Sequence, residues 1–139
     1  MSRHFEWLPM NDIVCARADK VVFRRTKGDS EWIDCSNSKF VLIAKKEPWL
    51  DITDYSDALF KIDGVIPNEA TWLGENNEPG RVVFDLSESD TNLNPKKSAY
   101  YCRIIETNLD GSNPRSAFMG KFRVILAGDD YQNKKGELV

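Results

Sequence analysis

Hydrophobic and polar residues alternate most clearly in the second half of the chain. Every second position is apolar over residues 81–86 and over residues 100–104, the first part of the stretch 100–107. The residues concerned are Val82, Phe84, Leu86, Tyr100, Cys102 and Ile104. A period of two predicts β-strands with one buried face. Between them, Ser87–Asp90 offers side-chain oxygens to free backbone N–H groups, so we expect one capped helical turn there, which Leu93 closes onto the core.

Shorter apolar segments predict further strands. They are Asp12–Arg17, Lys20–Thr26, Trp32–Asp34, Lys39–Lys45, Thr71–Leu73 and Ser116–Ala127, with Asp57–Lys61 as a strand or a short helix. The nearly continuous apolar run of Lys39–Lys45 predicts the most buried strand. We expect a bulge at Gly120 and a hairpin loop over 108–114, where Gly111 supplies a positive φ. Together the segments predict an all-β chain, an antiparallel β-sandwich of about seven or eight strands.

The same patterns divide the chain into three parts. They predict an apolar N-terminal arm over residues 1–11, one β-sandwich domain over residues 12–127, and a polar, flexible C-terminal tail over residues 128–139. The arm must dock on its own domain or on a neighbour, because exposed apolar groups tend to mark interfaces. Residues 46–80 are too irregular to place strands, and we expect an edge hairpin or a binding loop there.

Composition narrows the possible partners. The chain has 139 residues, of which 41% are hydrophobic and 29% charged, as in an ordinary globular domain. Its net charge of −3 gives no basic face for nucleic acid. No apolar run approaches the roughly 20 residues that span a bilayer. The first residues lack the apolar core of a signal peptide, so we expect synthesis in a cytoplasm and no membrane partner.

No group of residues predicts catalysis, a metal or a cofactor. His4 is the one histidine and lies in the arm, so a nucleophilic serine or cysteine has no base. The cysteines are odd in number and widely spaced, which predicts free thiols: Cys15, Cys35 and Cys102. Two acidic groups lack the glycine turn of a calcium loop: Asp51, Asp54 and Asp57, and Asp85, Glu88 and Asp90.

Large apolar side chains are therefore the best candidates for binding. The predicted contact residues are Phe5, Trp7, Leu8, Met10, Trp49 and Trp72. Aromatic residues on separate elements are more often core or interface anchors than a ligand platform. A sugar-stacking platform made from the four tryptophans is the alternative that the sequence leaves open.

Several motifs resemble the N-terminal immunoglobulin-like domain of tailed-phage baseplate upper proteins and related virion proteins. They are Asp12-Ile13-Val14, Val21-Val22-Phe23, Gly28-Asp29, Trp32-Ile33-Asp34, Phe40–Ile43, Gly80–Leu86 with Ser89-Asp90-Thr91, Tyr100–Ile104, Asp110-Gly111 and Gly120–Val124. The likeness covers residues 12–126. It implies an immunoglobulin-like fold and no catalytic residues. The long C-terminal receptor-side region of the baseplate type has no counterpart in these residues, so we expect a small stand-alone virion component.

The resemblance implies a structural role in a virus particle. We expect a non-enzymatic tail, baseplate or adaptor component, present in many copies, that binds other virion proteins through sheet edges and its apolar arm. A homo-oligomer is possible, and deletion of residues 1–11 is expected to leave a folded monomer that no longer assembles. The alternatives are a capsid decoration protein and a carbohydrate-binding β-sandwich for host attachment.

Overall fold

The regular structure of this protein is built from β-strands. The computed structural model describes residues 7–24, 26–27, 31–32, 35–66 and 81–126. In those ranges the regular elements are eleven strands, without a helix. They are β1 (Leu8–Pro9), β2 (Ile13–Val14), β3 (Asp19–Arg24), β4 (Thr26–Lys27), β5 (Glu31–Trp32), β6 (Ser38–Lys45), β7 (Phe60–Asp63), β8 (Arg81–Leu86), β9 (Tyr100–Asn108), β10 (Arg115–Phe122) and β11 (Val124–Ile125). The described part of the chain is therefore all-β, as its pattern predicts.

A five-stranded sheet forms the larger layer, with the strand order β1-β10-β9-β6-β7. Strand β9 is its centre and pairs antiparallel with β6 and β10. Strand β1 joins the edge of β10 in parallel, through only Gly120 and Lys121. The apolar run predicted as the most buried strand is β6, in which Leu42, Ile43 and Ala44 are all inaccessible to solvent.

Three two-stranded pairs complete the fold. Strands β3 and β8 pair antiparallel, β2 and β11 pair in parallel, and β4 pairs with β5. Val65, just after β7, exchanges backbone hydrogen bonds of 2.8 Å with Val83 of β8, which connects the five-stranded sheet to the β3–β8 pair. The predicted hairpin loop connects β9 to β10, and Gly111 has the expected positive φ of 87°.

One hydrophobic core lies between the inner face of the five-stranded sheet and the β3–β8 pair. The larger sheet contributes Phe40, Leu42, Ala44, Phe60, Tyr100, Cys102, Ile104 and Phe122. The other strands contribute Ile13, Val82, Phe84, Leu86 and Val124, with Val21 and Phe23 packed against them. These inner-face positions agree with the predicted alternation, but the expectation of a single buried face is wrong, because Arg81, Val83, Arg103 and Ile105 on the other side of the same strands are buried too. Burial of the inner-face side chains is the main force that holds the two layers together.

The turn between β8 and β9 is capped as expected. The Asp90 carboxylate accepts a hydrogen bond of 2.8 Å from the Ser87 backbone N–H, and the Ser87 hydroxyl accepts one of 3.2 Å from Asp90 N–H. Two residues that follow the turn are in the interior: Thr91 is fully buried, and Leu93 packs against the core.

The structure corrects several strand boundaries. The predicted strand over 116–127 is divided into β10 and β11, and its register irregularity lies between Ser116 and Phe118 rather than at Gly120. Gly120 instead makes room for the Phe118 ring, because a Cβ there would lie 2.4 Å from a ring carbon. In the predicted strand over 12–17, regular pairing stops at Val14, and Ala16 turns the chain with a φ of 57°.

The ends of the chain and its middle are described only in part. Residues 7–10 of the predicted arm lie against their own domain, where Met10 N–H donates a 2.8 Å hydrogen bond to the Lys121 carbonyl. In the middle region, the segment predicted over 57–61 begins as strand β7 at Phe60. Outside the described residues lie Phe5, Trp72, the predicted strand over 71–73 and the predicted tail over 128–139.

Candidate interaction surface

The outer face of the five-stranded sheet is covered by the loop that connects β6 to β7. Ile43, Trp49 and Ile105 form a second buried cluster there, separate from the inner core. Partly buried side chains surround it: Trp7, Val41, Ile52, Tyr55, Ala58 and Tyr101. We call this set the outer cluster. It brings the start of the described chain, the 46–59 loop and the centre of the sheet into contact.

A buried arginine lies at the centre of the outer cluster. The guanidinium carbon of Arg103 lies 5.3 Å from the ring centroid of Trp7 and 5.1 Å from that of Trp49. The two indole rings are 5.6 Å apart, and Trp7 also meets Tyr101 edge to face at 5.2 Å. Desolvated cation–π contacts of this kind contribute about 2 kcal/mol each. Arg103 therefore joins the chain before β1 to the 46–59 loop.

Hydrogen bonds fix the same arginine to the loop backbone. Arg103 donates from Nη2 to the Trp49 carbonyl at 2.6 Å and from Nη1 to the Leu50 carbonyl at 3.3 Å. Burial lowers the pKa of Arg103, but a guanidinium remains protonated in proteins. Two buried donors around this cluster lack an acceptor among the described residues, Nε of Arg103 and Nε1 of Trp49. Each such donor costs about 1–3 kcal/mol, so the cluster gains less stability than its contacts suggest.

A second buried cation holds the far end of the loop. Lys45 is 2% exposed, and its Nζ lies 2.8 Å from a carboxylate oxygen of Asp57 and 3.8 Å from one of Asp54. It also lies 4.9 Å from the Trp49 ring centroid. Its acidic partners stay largely in water, so the buried charge is matched from the solvent side. Removing a partner of such a charge costs more than the ion pair itself contributes.

Short polar turns shape the loop between these two anchor points. The hydroxyl and the backbone N–H of Thr53 both donate to the Asp51 carboxylate, and those of Ser56 donate to Asp54. These hydrogen bonds lower the pKa values of Asp51 and Asp54. The acidic group in this loop therefore serves turn formation and the Lys45 ion pairs. No set of three potential metal ligands occurs in the described ranges.

The predicted contact residues are distributed over different surroundings. Trp7 and Trp49 meet in the outer cluster, where Trp49 is only 8% exposed. Met10 packs on the opposite side, against the inner core. Leu8 is 47% exposed at the sheet edge, and Leu50, which the pattern does not single out, is 73% exposed. An interface role for the predicted residues remains a proposal.

Arg103 and Lys45 are the residues that sequence reasoning missed. Both are charged residues next to apolar runs, in the segments Phe40–Lys45 and Tyr100–Ile105. A charge at a position that strand alternation places on the sheet's outer face looks like ordinary solvation. The useful signal is that their neighbours Ile43 and Ile105 are apolar on that same face, which indicates a second buried layer.

One edge of the large sheet is paired only in part. Strand β1 covers Gly120 and Lys121, and within the described residues no strand pairs with the outer side of β10 from Arg115 to Met119. Unpaired strand edges offer N–H and C=O groups to another chain. The opposite edge strand, β7, carries Lys61 and Asp63, and charged residues are a common protection against pairing. Residues 116–119 of β10 carry no charge, so this part of the β10 edge is the more available of the two.

The cysteines of the described structure are thiols outside any disulfide, as predicted: Cys15, Cys35 and Cys102. Burial raises the pKa of Cys102 to about 12, so it is a thiol at neutral pH. Reactive cysteines have lowered pKa values. Among the described residues, the structure contains no helix long and apolar enough to cross a membrane.

Comparisons with known proteins include a distant structural likeness. No protein-family model and no curated protein sequence matches the chain. The chain is similar to the solved structure of the NK cell receptor Nkp44, with 13% sequence identity and a TM-score of 0.39, over 88% of this chain and 100% of that one. A likeness this distant assigns neither a family nor a function.

Proposed function

We propose that the fold is an immunoglobulin-like sandwich of the variable type. The order β10-β9-β6-β7 corresponds to strands G, F, C and C′ of that fold, and the β3–β8 pair to strands B and E. A tyrosine corner supports the assignment. Tyr100 stands two residues before Cys102, and its hydroxyl donates a 2.8 Å hydrogen bond to the Asn94 carbonyl upstream. Strand β3 holds no cysteine, so the disulfide typical of antibody domains is absent from this pair of strands.

On this fold we propose a non-enzymatic structural component of a tailed-phage virion. It is a tail, baseplate or adaptor part, made in the host cytoplasm and present in many copies. It binds neighbouring virion proteins through its sheet edge and N-terminal segment. The phage assignment is supported by the motif resemblance over residues 12–126.

The partly paired edge of β10 is the observation that supports binding to other proteins. Ser116 is exposed there, and Ala117, Phe118 and Met119 are each half-buried. Addition of a partner strand would pair the backbone groups of this edge and cover these side chains. The tryptophan platform has less support, because Trp49 is buried within the outer cluster.

Incorporation of an edge variant into particles tests the proposal. Ser116→Lys places a charge on the part of this edge that no described strand pairs with, where lysine discourages strand pairing. Leu109→Lys is the matched control, because Leu109 is 54% exposed in the hairpin loop, outside strand β10. We expect particles assembled with Ser116→Lys to contain much less of the protein than particles with Leu109→Lys.

Equal incorporation of both folded variants would contradict binding through the β10 edge. Absence of even the unmodified protein from purified particles would contradict the virion role. A shift of tryptophan fluorescence with a glycan panel would then favour the carbohydrate-binding alternative.

A further inference from the structure

The segment before β3 is bound to its domain as a separable strap. It comprises residues 7–14, from Trp7 to the end of β2. Its backbone follows β10 and β11 in parallel, with hydrogen bonds from Met10 N–H to the Lys121 carbonyl (2.8 Å) and from Ile13 N–H to the Arg123 carbonyl (2.9 Å). Its side chains enter both faces of the fold, since Trp7 joins the outer cluster and Ile13 the inner core.

We propose that this strap exchanges between two copies of the chain, each copy inserting residues 7–14 into the groove along β10 and β11 of the other. This inference rests on the proposed function, in which the N-terminal segment binds a neighbouring protein, and it names a second copy of the chain as that neighbour. Exchange of an identical element retains every contact of the strap and is a low-cost route to a dimer.

The connection after the strap favours its release. Only Cys15–Ala18 lies between β2 and β3, and Ala16 is held at a φ of 57°. A non-glycine residue in this left-handed region is strained, because its Cβ crowds the following carbonyl. A straight connection that leads the strap to a neighbour removes that strain. Short, strained hinges are known to promote strand exchange.

Contacts with Thr91 hold the closed form. The Thr91 hydroxyl accepts a 2.9 Å hydrogen bond from Arg17 N–H and donates one of 2.8 Å to the Arg17 carbonyl. The Thr91 carbonyl accepts a longer one, of 3.3 Å, from Ala16 N–H. These hinge contacts therefore favour the closed form, whereas the strain at Ala16 favours the exchanged form.

The groove fits the strap of a second copy better than an unrelated strand. Side chains along the groove contact individual strap residues: the Trp49 and Tyr101 rings contact Trp7, and the Cys102 sulfur lies 3.7 Å from that of Met10. Arg123 on the groove side forms a 2.7 Å ion pair with Asp12 on the strap. A strand without this sequence would lack the charge at Asp12 and the core residue Ile13.

Disulfide trapping distinguishes the exchanged from the closed form. Pro9 and Lys121 are register partners and both are exposed, so the double variant Pro9→Cys, Lys121→Cys bridges strap and groove. The full-length variant is refolded over a range of protein concentrations, oxidised, and separated without reductant. Each single variant is the control for disulfides that form by collision or with the natural cysteines.

We expect the double variant to give a covalent dimer whose share increases with protein concentration and exceeds that of both single variants. A cross-link within single chains at every concentration would overturn the proposal. Failure of the folded double variant to form either cross-link would also overturn it, because the groove would then not hold a strap.

A substitution in the hinge tests, without new cysteines, whether strain at Ala16 favours the exchange. Ala16→Gly relieves the strain of the closed form, so we expect the dimer association constant to fall about tenfold. Ala18→Gly adds the same flexibility at an exposed hinge position without a positive φ and is the matched control. Light scattering after size-exclusion chromatography measures both. Equal dimer fractions for the two variants would contradict a role for hinge strain.

The outcomes separate this inference from the proposed function. A trapped dimer that is absent from particles would support exchange and contradict the virion role. A protein present in particles but cross-linked only within chains would support the virion role and contradict exchange.

Discussion

The inner core and the outer cluster cover opposite faces of the same sheet, but different forces hold them. The inner core consists almost entirely of apolar side chains from strands, such as Leu42, Phe84 and Ile104. The outer cluster is built around two cations, Arg103 and Lys45, each 2% exposed. Apolar burial stabilises regardless of direction, whereas buried charges require partners in defined positions. The core therefore supplies stability, and the outer cluster fixes where the loop and the strap lie.

The largest expected effect comes from the inner core. Phe84→Ala removes a fully buried ring at the contact between β8 and the larger sheet. We expect the free energy of unfolding to fall by about 3–5 kcal/mol, because the lost burial and the remaining cavity both contribute. Urea denaturation measures the change. A loss below about 1 kcal/mol would mean that the core does not hold the layers together.

The next effect tests the outer cluster. Arg103→Ala empties the space between Trp7 and Trp49 and leaves the Trp49 and Leu50 carbonyls without their donor. We expect a loss of about 2–3 kcal/mol and a changed tryptophan emission spectrum. Arg103→Met is the informative companion, because it keeps an apolar chain between the rings and lacks the charge. If Arg103→Met retains the stability of the unmodified protein, the charge serves position rather than stability.

A smaller effect tests the corner that leads into β9. Tyr100→Phe deletes the hydroxyl that donates to the Asn94 carbonyl and keeps the ring stacked on Phe122 at 5.6 Å. We expect a loss of about 1 kcal/mol in the free energy of unfolding. Phe122→Leu is the control, because it removes the ring stacking and keeps the hydrogen bond of Tyr100. Unchanged stability of Tyr100→Phe would argue against a tyrosine corner.

The smallest expected effect concerns pH and arises in the 46–59 loop. The pKa values of Asp51 and Asp54 are lowered in the folded chain, mainly by hydrogen bonds from Thr53 and Ser56. Their contribution to stability is therefore complete above the unfolded pKa of about 4 and lost as the pH falls through the lower folded values. We expect Thr53→Ala with Ser56→Ala to weaken this acid dependence in urea titrations at neutral and acidic pH. An unchanged acid dependence would mean that the loop turns do not contribute.

These two regions also differ in how far the sequence predicts them. Alternation at Val82, Phe84 and Leu86 predicts the inner face directly, because each strand residue points to one of two sides. The outer cluster depends on contacts that no local pattern contains. Arg103 meets Trp7 and Trp49 only after the chain before β1 and the 46–59 loop fold onto β9.

Strand boundaries show the same limit. The alternation over 116–127 continues past Phe122, but Arg123 pairs with Asp12 and the chain changes partner from β9 to β2. The positive φ of Ala16 has no sequence signal, since glycine or asparagine is the usual residue there. Its conformation is set by Thr91, which lies more than seventy residues further along the chain.

Deleting the predicted arm would remove side chains that pack on the domain, so it would test stability as well as assembly. Deleting residues 1–11 removes Trp7 from the Arg103 stack and Met10 from the edge of the inner core. Loss of assembly by that truncated chain would therefore mix lost binding with lost stability. Point variants at exposed positions separate the two effects.

Gold labelling of purified phage particles with an antibody to this protein is the most direct test of the virion role. We expect label at the tail, baseplate or collar, where an adaptor or tail component would lie. Label over the head would make the protein a capsid decoration component. Particles without label, from preparations in which a known tail protein is labelled, would contradict the virion role.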